Sequence, residues 1–564
     1  MTGAVDRRPR PRPISRRTFL GAGALGLAAA GLAACGGSPT RASGPAASGA
    51  KLASGPPGPG PFSGGSYGGT ITVGWQSEAN SYDPAIGYND QGWDAVSCLL
   101  NTPLYMFATD YGDLQPALAA DLPQISSDGL RYTVKLRPDA KFSTGQPITA
   151  ADYLYAWNRV LDPKLASWAS TYLDPVVGAQ AVINGKAKTA SGLRALDATT
   201  LEIELTAPTF TFVNYLAQPF MAAVPQAEVQ RLGKAFATQP TSTGPFMVAS
   251  YSSADQKSSF VRNPHYAWKG LPYLDGVHFT WGVNSNLALL QLEQGTIDIF
   301  GDGFGADVLP QVESSPSGRK LLAQESENAT AWISLNVGKP ELADPRVRQA
   351  LNWACDRKAL AEITHGAFVA SGYPLPDTLT SFHHTAKPFG YDPSRARQLL
   401  AAAGVGKLHL TFLTDGSSPW PNVVQLLQQQ WQPLGVTLEI QTVSNSAWLT
   451  ETSTTPVKVD TFQNDYYMVE PSALDLIIPN YQTGGSYNSI GYSNKTIDGL
   501  ITRAQAQTTL ASSNTYVAQI EEQLVADPPS VFLFDVTFPA GRSTKLHNFQ
   551  YQGYFGPRYE RMWL

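Results

Sequence analysis

Tyr132-Thr133-Val134-Lys135-Leu136-Arg137, then Lys141-Phe142-Ser143-Thr144-Gly145, then Ile148-Thr149-Ala150-Ala151-Asp152 follow one another closely in the chain, and their reading decides the fold class. The first run alternates apolar and polar residues, which predicts a strand. A glycine turn follows. Thr149 then suits a helix cap, and Asp152 in the first turn opposes the positive end of the helix dipole. The same grammar recurs on either side. Strand-like runs lie at Thr70–Trp75, Thr200–Thr206, Val277–Trp281, Ala331–Asn336, Leu408–Thr414, Val436–Thr442 and Val531–Val536. Helical patterns come between them: Val347, Ala350, Leu351 and Ala354 after Asp344-Pro345; Val424, Leu427 and Trp431 after Trp420-Pro421; Val517, Ile520 and Leu524 after a cap at Asn514. The alternation predicts an α/β chain, and Ala331 to Pro529 is long enough for a lobe of its own.

Composition narrows the function. Of 564 residues, 43% are hydrophobic and 15% charged, which fits a folded body and excludes a largely disordered one. The net charge of -5 lacks the basic excess that nucleic acid requires. The N-terminal stretch differs. Six arginines (Arg7, Arg8, Arg10, Arg12, Arg16, Arg17) precede an apolar run from Phe19 to Ala34 that is too short to span a bilayer, so residues 1–34 read as an export signal. Leu32-Ala33-Ala34-Cys35 resembles a bacterial lipobox, with Cys35 as the lipid anchor, and Ser15-Arg16-Arg17-Thr18-Phe19-Leu20 resembles a twin-arginine signal; passage by the general route stays open. Residues 35–66, dominated by Gly, Pro and Ser, form a tether. The mature chain keeps 34 basic and 44 acidic residues, about -10. These features place it at the outer face of the bacterial cytoplasmic membrane, held by lipid alone.

Enzyme motifs are weak. Gly64-Gly65-Ser66-Tyr67-Gly68 matches a nucleophile elbow only in letters, since a Pro/Gly leash precedes it instead of a strand. Ser317-Gly318-Arg319-Lys320 lacks the companion elements of an S-x-x-K enzyme, and Gly301-Asp302-Gly303-Phe304-Gly305 reads as a turn. His383-His384 reads as a solvated loop pair, because adjacent imidazoles on an extended chain point apart. No metal, cofactor or catalytic group is expected. Cys98 and Cys355 sit in apolar helical patterns and read as unpaired core residues, with a disulfide as the alternative.

Ordered stretches along residues 70–555 resemble the extracytoplasmic solute-binding proteins of ABC importers, in the peptide/nickel/oligopeptide-binding family (family 5). The 132–152 signature is the most specific. Ser81-Tyr82-Asp83-Pro84, Leu114-Gln115-Pro116-Ala117-Leu118-Ala119, Thr243-Gly244-Pro245-Phe246, Asn263-Pro264-His265-Tyr266, Gly295-Thr296-Ile297-Asp298, Asp344-Pro345-Arg346-Val347-Arg348-Gln349-Ala350 with Asp356-Arg357, Tyr391-Asp392-Pro393, and Gly491-Tyr492-Ser493-Asn494 follow in the family's order. The resemblance implies a two-lobe periplasmic-binding-protein type II (Venus-flytrap) fold with an extra subdomain in the first lobe. Expected bounds are residues 67–109, 207–333 and 535–564 for lobe I, 110–206 for the subdomain and 334–534 for lobe II, with crossovers near Ser334 and Phe534.

It also implies a monomer that captures a small ligand, an oligopeptide or dipeptide, between the lobes and delivers it to ABC permease subunits. A family acid would meet the ligand's ammonium; Phe462-Gln463-Asn464-Asp465-Tyr466 resembles its stretch, which nominates Asp465, although Phe462 replaces a usual Trp. Tyr466, Trp420, Tyr487 and Tyr105 are candidate stacking groups, and Lys458 a candidate partner for a ligand carboxylate. A nickel chelate, haem or an oligosaccharide as ligand, a secreted hydrolase, and a surface interaction protein remain as alternatives.

Overall fold

The computed structural model describes residues 65–107, 114–553 and 555–564. The signal, Cys35 and nearly all of the tether lie outside them. Within the described residues no helix is long and apolar enough to cross a membrane.

All eight strand-like runs are strands, and most of them join one mixed sheet of eleven. One half holds Ile299–Phe300, Thr70–Trp75, Gly276–Trp281, Lys257–Arg262 and Phe246–Ser252. The other holds Val436–Thr442, Leu408–Thr414 and Thr461–Tyr467. Two long antiparallel strands, Leu322–Leu335 and Ser530–Arg542, run through both halves as a ribbon, with Phe368–Ala370 paired on Ser530–Arg542. Thr70–Trp75 and Leu408–Thr414 are each parallel to neighbours in the sheet, and they alternate, sending Ile71, Val73 and Trp75, and Leu408, Leu410 and Phe412, into the cores.

The ribbon loses register twice, between Ser326 and Thr330 and between Ala331 and Trp332. Irregular pairing at the joint between two packed halves bends the strands locally, which makes residues 326–330, opposite Asp535–Thr537, the natural pivot. The crossovers expected near Ser334 and Phe534 fall on the two strands of this ribbon.

A separate four-stranded sheet (Gln124–Ile125, Arg131–Lys135, Thr200–Glu204, Leu193–Asp197) carries the opening signature. Helix Ala150–Leu161 begins as its sequence predicts: Thr149 N–H donates to Asp152 Oδ2 at 2.8 Å, while Tyr153, Ala156, Trp157 and Val160 are buried. Arg159, near its end, forms a buried pair with Asp83 of the Ser81–Pro84 turn and ties this sheet to the large one.

Two readings are corrected. The long helix Leu510–Ala526 is capped by Thr509, whose side chain accepts from Ser512 N–H, so Asn514 lies inside it. His384 is largely enclosed: it stacks on Tyr373 at 3.8 Å, lies 3.1 Å from Asp377 and bonds the fully buried Glu521, and His383 alone faces water. Both Cys98 and Cys355 are free and buried, in the separate cores of the two halves, each thiol bonded to a backbone carbonyl.

Candidate functional site

Strand Thr461–Tyr467 lies against the ribbon beside the pivot, with Asp465 opposite Ala331 and Tyr467 opposite Ala329. Alternation puts Gln463, Asp465 and Tyr467 on one face. Both Asp465 and Tyr467 (51% exposed) are reached by water, yet burial among surrounding protein, helped by the charge of Asp415, pushes Asp465 up to about 6. A carboxyl on a convex surface would stay near its ordinary value. One that is wet and still costly to ionise sits in a recess.

Burial also opposes ionisation of Asp415, but hydrogen bonds from Ser417, Asn445 and Gln463 outweigh it and hold this carboxyl below the usual range. Gln463 Nε2 reaches it at 2.7 Å, so a fixed negative charge stands behind Asp465.

Two more acids meet in the recess, from other elements. Glu327, on the ribbon within the pivot, is pushed up to about 8, chiefly by burial and further by Asp90 and Asp465, although Tyr551 O–H donates to it at 2.8 Å. Asp90 opens the short helix Asp90–Asp94 in the first half of the sheet, and burial raises it too. Asp302 follows, up to about 6, through burial and then Asp90. Acids from the first half, the pivot and the second half thus share one field, and among the described residues no cation is one of the groups that shift them. The arrangement suits a positively charged group arriving between the halves.

Tyr466 and Tyr487 also come together, rings 5.9 Å apart and near perpendicular. They belong to a contact between the halves: Asn214 Nδ2 donates to Glu470 at 2.7 Å and Gln218 Nε2 to the Val469 carbonyl at 2.6 Å. Burial raises Glu470 and its neighbour Asp475, which lie close enough to repel.

The remaining candidates lie elsewhere. Trp420 (5% exposed) packs on Phe368 in the second-half core, and Tyr105 (0%) is enclosed in the core below the small sheet. Lys458 is exposed and lies in the bent stretch that precedes strand Thr461–Tyr467. Sequence reasoning passed over Asp90, Glu327, Tyr467 and Tyr551. Only Asp90 carried a trace, the i, i+4 spacing with Asp94; Glu327 is a lone acid in a polar run.

This architecture has known counterparts. Residues 113–487 match the family described as bacterial extracellular solute-binding proteins, family 5 Middle. The chain belongs to that family. The glutathione-binding protein GsiB of Pectobacterium atrosepticum is 29% identical over 447 residues, 76% of this chain and 82% of the relative. The dipeptide-binding protein DppE of Bacillus subtilis is 26% identical, over 81% of this chain and 84% of its own. Among solved structures, clavulanic acid biosynthesis oligopeptide binding protein 2 superposes with a TM-score of 0.80 at 21% identity, covering 88% of this chain and 96% of that one. The periplasmic binding protein DppA of Helicobacter pylori, in complex with a peptide, gives 0.71 at 21%, covering 88% and 98%. This family 5 protein is therefore an extracytoplasmic solute-binding component of an ABC importer with the two-lobed type II fold, and its relatives are binding proteins rather than enzymes.

Proposed function

We propose that this solute-binding protein captures short peptides by their free ammonium end, with Asp465 as the principal counter-charge and the lobes closing about the pivot at residues 326–330. The observation that carries this reading is the water-reached carboxyl of Asp465, held at about 6 with Glu327 and Asp90 in the same recess and, among the described residues, no cation shifting any of them. A desolvated ammonium needs a partner, and an ionisable acid that lacks one is best satisfied by a ligand that brings it. Glutathione and a dipeptide, named for two relatives, each carry a free α-ammonium, which supports the same reading. Tyr466 and Tyr487 would flank the ligand, while Trp420 and Tyr105 would act through the cores and Lys458 from the bent stretch before strand Thr461–Tyr467. Isothermal titration with a dipeptide and tripeptide series, each free and N-acetylated, tests it: free peptides bind and acetylated ones lose at least tenfold, whereas equal affinity overturns the ammonium role.

Cys35 would carry the lipid that keeps the monomeric body at the outer face of the membrane, within reach of its permease. Mass spectrometry of the N-terminal peptide from native membranes checks this; a chain starting at an unmodified Cys35, or one retaining residues 1–34, counts against it.

A further inference from the structure

The recess carries more negative charge than one ammonium neutralises. Asp90, on the first half, is exposed, and among the described residues its carboxylate accepts no hydrogen bond and meets no cation. Asp302 beside it is bonded by neutral donors alone, the Gln76 N–H at 2.6 Å and Gln91 Nε2 at 3.1 Å. Glu327 accepts from the Tyr551 hydroxyl, also neutral. On the second half Asp465 stands before Asp415, which stays ionised despite burial through its hydrogen bonds.

Two further groups point to what would answer this charge. Gln463 is 4% exposed, and its Nε2 is fixed on Asp415 Oδ1 at 2.7 Å. Turning the amide over would set oxygen against carboxylate, so the atom left over is the Oε1 acceptor, closed off from solvent and without a donor among the described residues. It lies on the recess face, one strand period before Asp465. Tyr467 lies one period after Asp465, 51% exposed and opposite the small Ala329. Burial among protein, then the charges of Glu327, Asp465 and Asp90, resist ionisation of its hydroxyl, so an open aromatic face stands among three carboxyls. Acid and ring together favour guanidinium over ammonium, because its plane stacks on an aromatic face and its fork pairs with a carboxylate.

We infer that the preferred ligand is a peptide with arginine as its first residue, its α-ammonium on Asp465 and Gln463 Oε1 and its guanidinium stacked on Tyr467 and paired with Asp90 and Glu327. This rests on the peptide reading above and names its substrate class. Successive side chains on one strand face are about 6.6 Å apart, a separation that one arginine bridges from its own ammonium. Glu327, pushed up to about 8 chiefly by burial, is mostly protonated at pH 7, so it joins as a counter-charge only by giving up its proton when the guanidinium arrives.

Titration calorimetry of the full folded protein at pH 7 with Arg-Ala-Ala, Ala-Ala-Arg and the same peptides carrying citrulline for arginine tests this, since citrulline keeps the shape and the free ammonium and loses the charge. Arg-Ala-Ala should bind at least tenfold more tightly than its citrulline partner, and Ala-Ala-Arg within threefold of its own. In Asp90→Asn the tenfold ratio should fall below threefold, and Tyr467→Leu should reduce it likewise. Measured in two buffers of different ionisation enthalpy, Arg-Ala-Ala should release more protons than its citrulline partner, a difference that Glu327→Gln removes; equal release overturns the part given to Glu327. The N-acetylated peptides separate the two readings. Equal affinity for arginine and citrulline forms that all weaken on acetylation overturns the guanidinium site and leaves the ammonium role standing, whereas a full arginine preference untouched by acetylation overturns the ammonium role alone. A tenfold preference that persists in Asp90→Asn reflects the acidity of the whole chain and overturns the site; absence of binding by every peptide overturns both.

Discussion

Replacing Asp465 by Asn keeps the shape of the side chain and removes the charge. With its carboxyl at about 6, Asp465 is roughly nine-tenths ionised at pH 7, so nearly the whole interaction is present in the native protein. Truncating one partner of a buried, hydrogen-bonded charge pair costs about 2–5 kcal/mol. Water reaches Asp465, and Asp90 stays behind in the recess, so the effect belongs at the low end, about 1.5–3 kcal/mol, or tenfold to somewhat over a hundredfold in Kd. The decisive assay is a cycle: titration calorimetry of native protein and Asp465→Asn, each against a peptide and its N-acetyl form. Acetylation should cost the native protein at least tenfold and the variant far less, since both changes remove the same contact. A variant that binds within twofold of native, or that loses as much on acetylation as native does, would refute the pairing of Asp465 with an ammonium.

Peptide affinity should fall about tenfold from pH 7 to pH 5 as Asp465 takes up a proton; a flat calorimetric profile over that range contradicts this. Asp94 is buried and pushed up to about 7, chiefly by burial, so its ionised form destabilises the fold, by an amount that grows from the unfolded value near 3.8 up to pH 7 and is full above it. Asp94→Asn, which can still accept from Tyr559, should therefore raise Tm more at pH 8 than at pH 5. Burial works against charging His384, but Glu521 and Asp377 outweigh it and raise its pKa. Its stabilising contribution is thus full below about 6.5 and lost as pH rises through the higher folded value, and His384→Phe, which leaves the buried Glu521 only the N–H groups of Thr385 and Ala386, should cost about 3 kcal/mol in urea unfolding at pH 6 and less at pH 9.

Much of the scaffold could be read along the chain because it rests on local rules. The strand period, the Thr149–Asp152 cap and the Asp344 cap, whose side chain accepts from Arg346 N–H, depend on residues a few positions apart. The recess does not. Asp90, Glu327 and Asp465 are separated by more than a hundred residues each and meet only because the ribbon passes between the two halves of the sheet. Asp465 was legible through the resemblance of its stretch, whereas Glu327 lies in a polar segment with no local signature. Trp420 and Tyr105 show the converse: an aromatic beside a plausible cleft segment looks the same in sequence whether it faces ligand or core, and here the core holds both. His384 reads as solvated from the sequence because its partners, Asp377 and Glu521, come from different elements.

Small-angle scattering of the mature protein, with and without a saturating free-amino peptide whose integrity is checked afterwards by mass spectrometry, bears most directly on the clamshell. A smaller radius of gyration with the peptide recovered intact is the expected result. An unchanged radius at proven saturation, or a peptide recovered in pieces, would contradict a protein that closes on its ligand and hands it on unaltered.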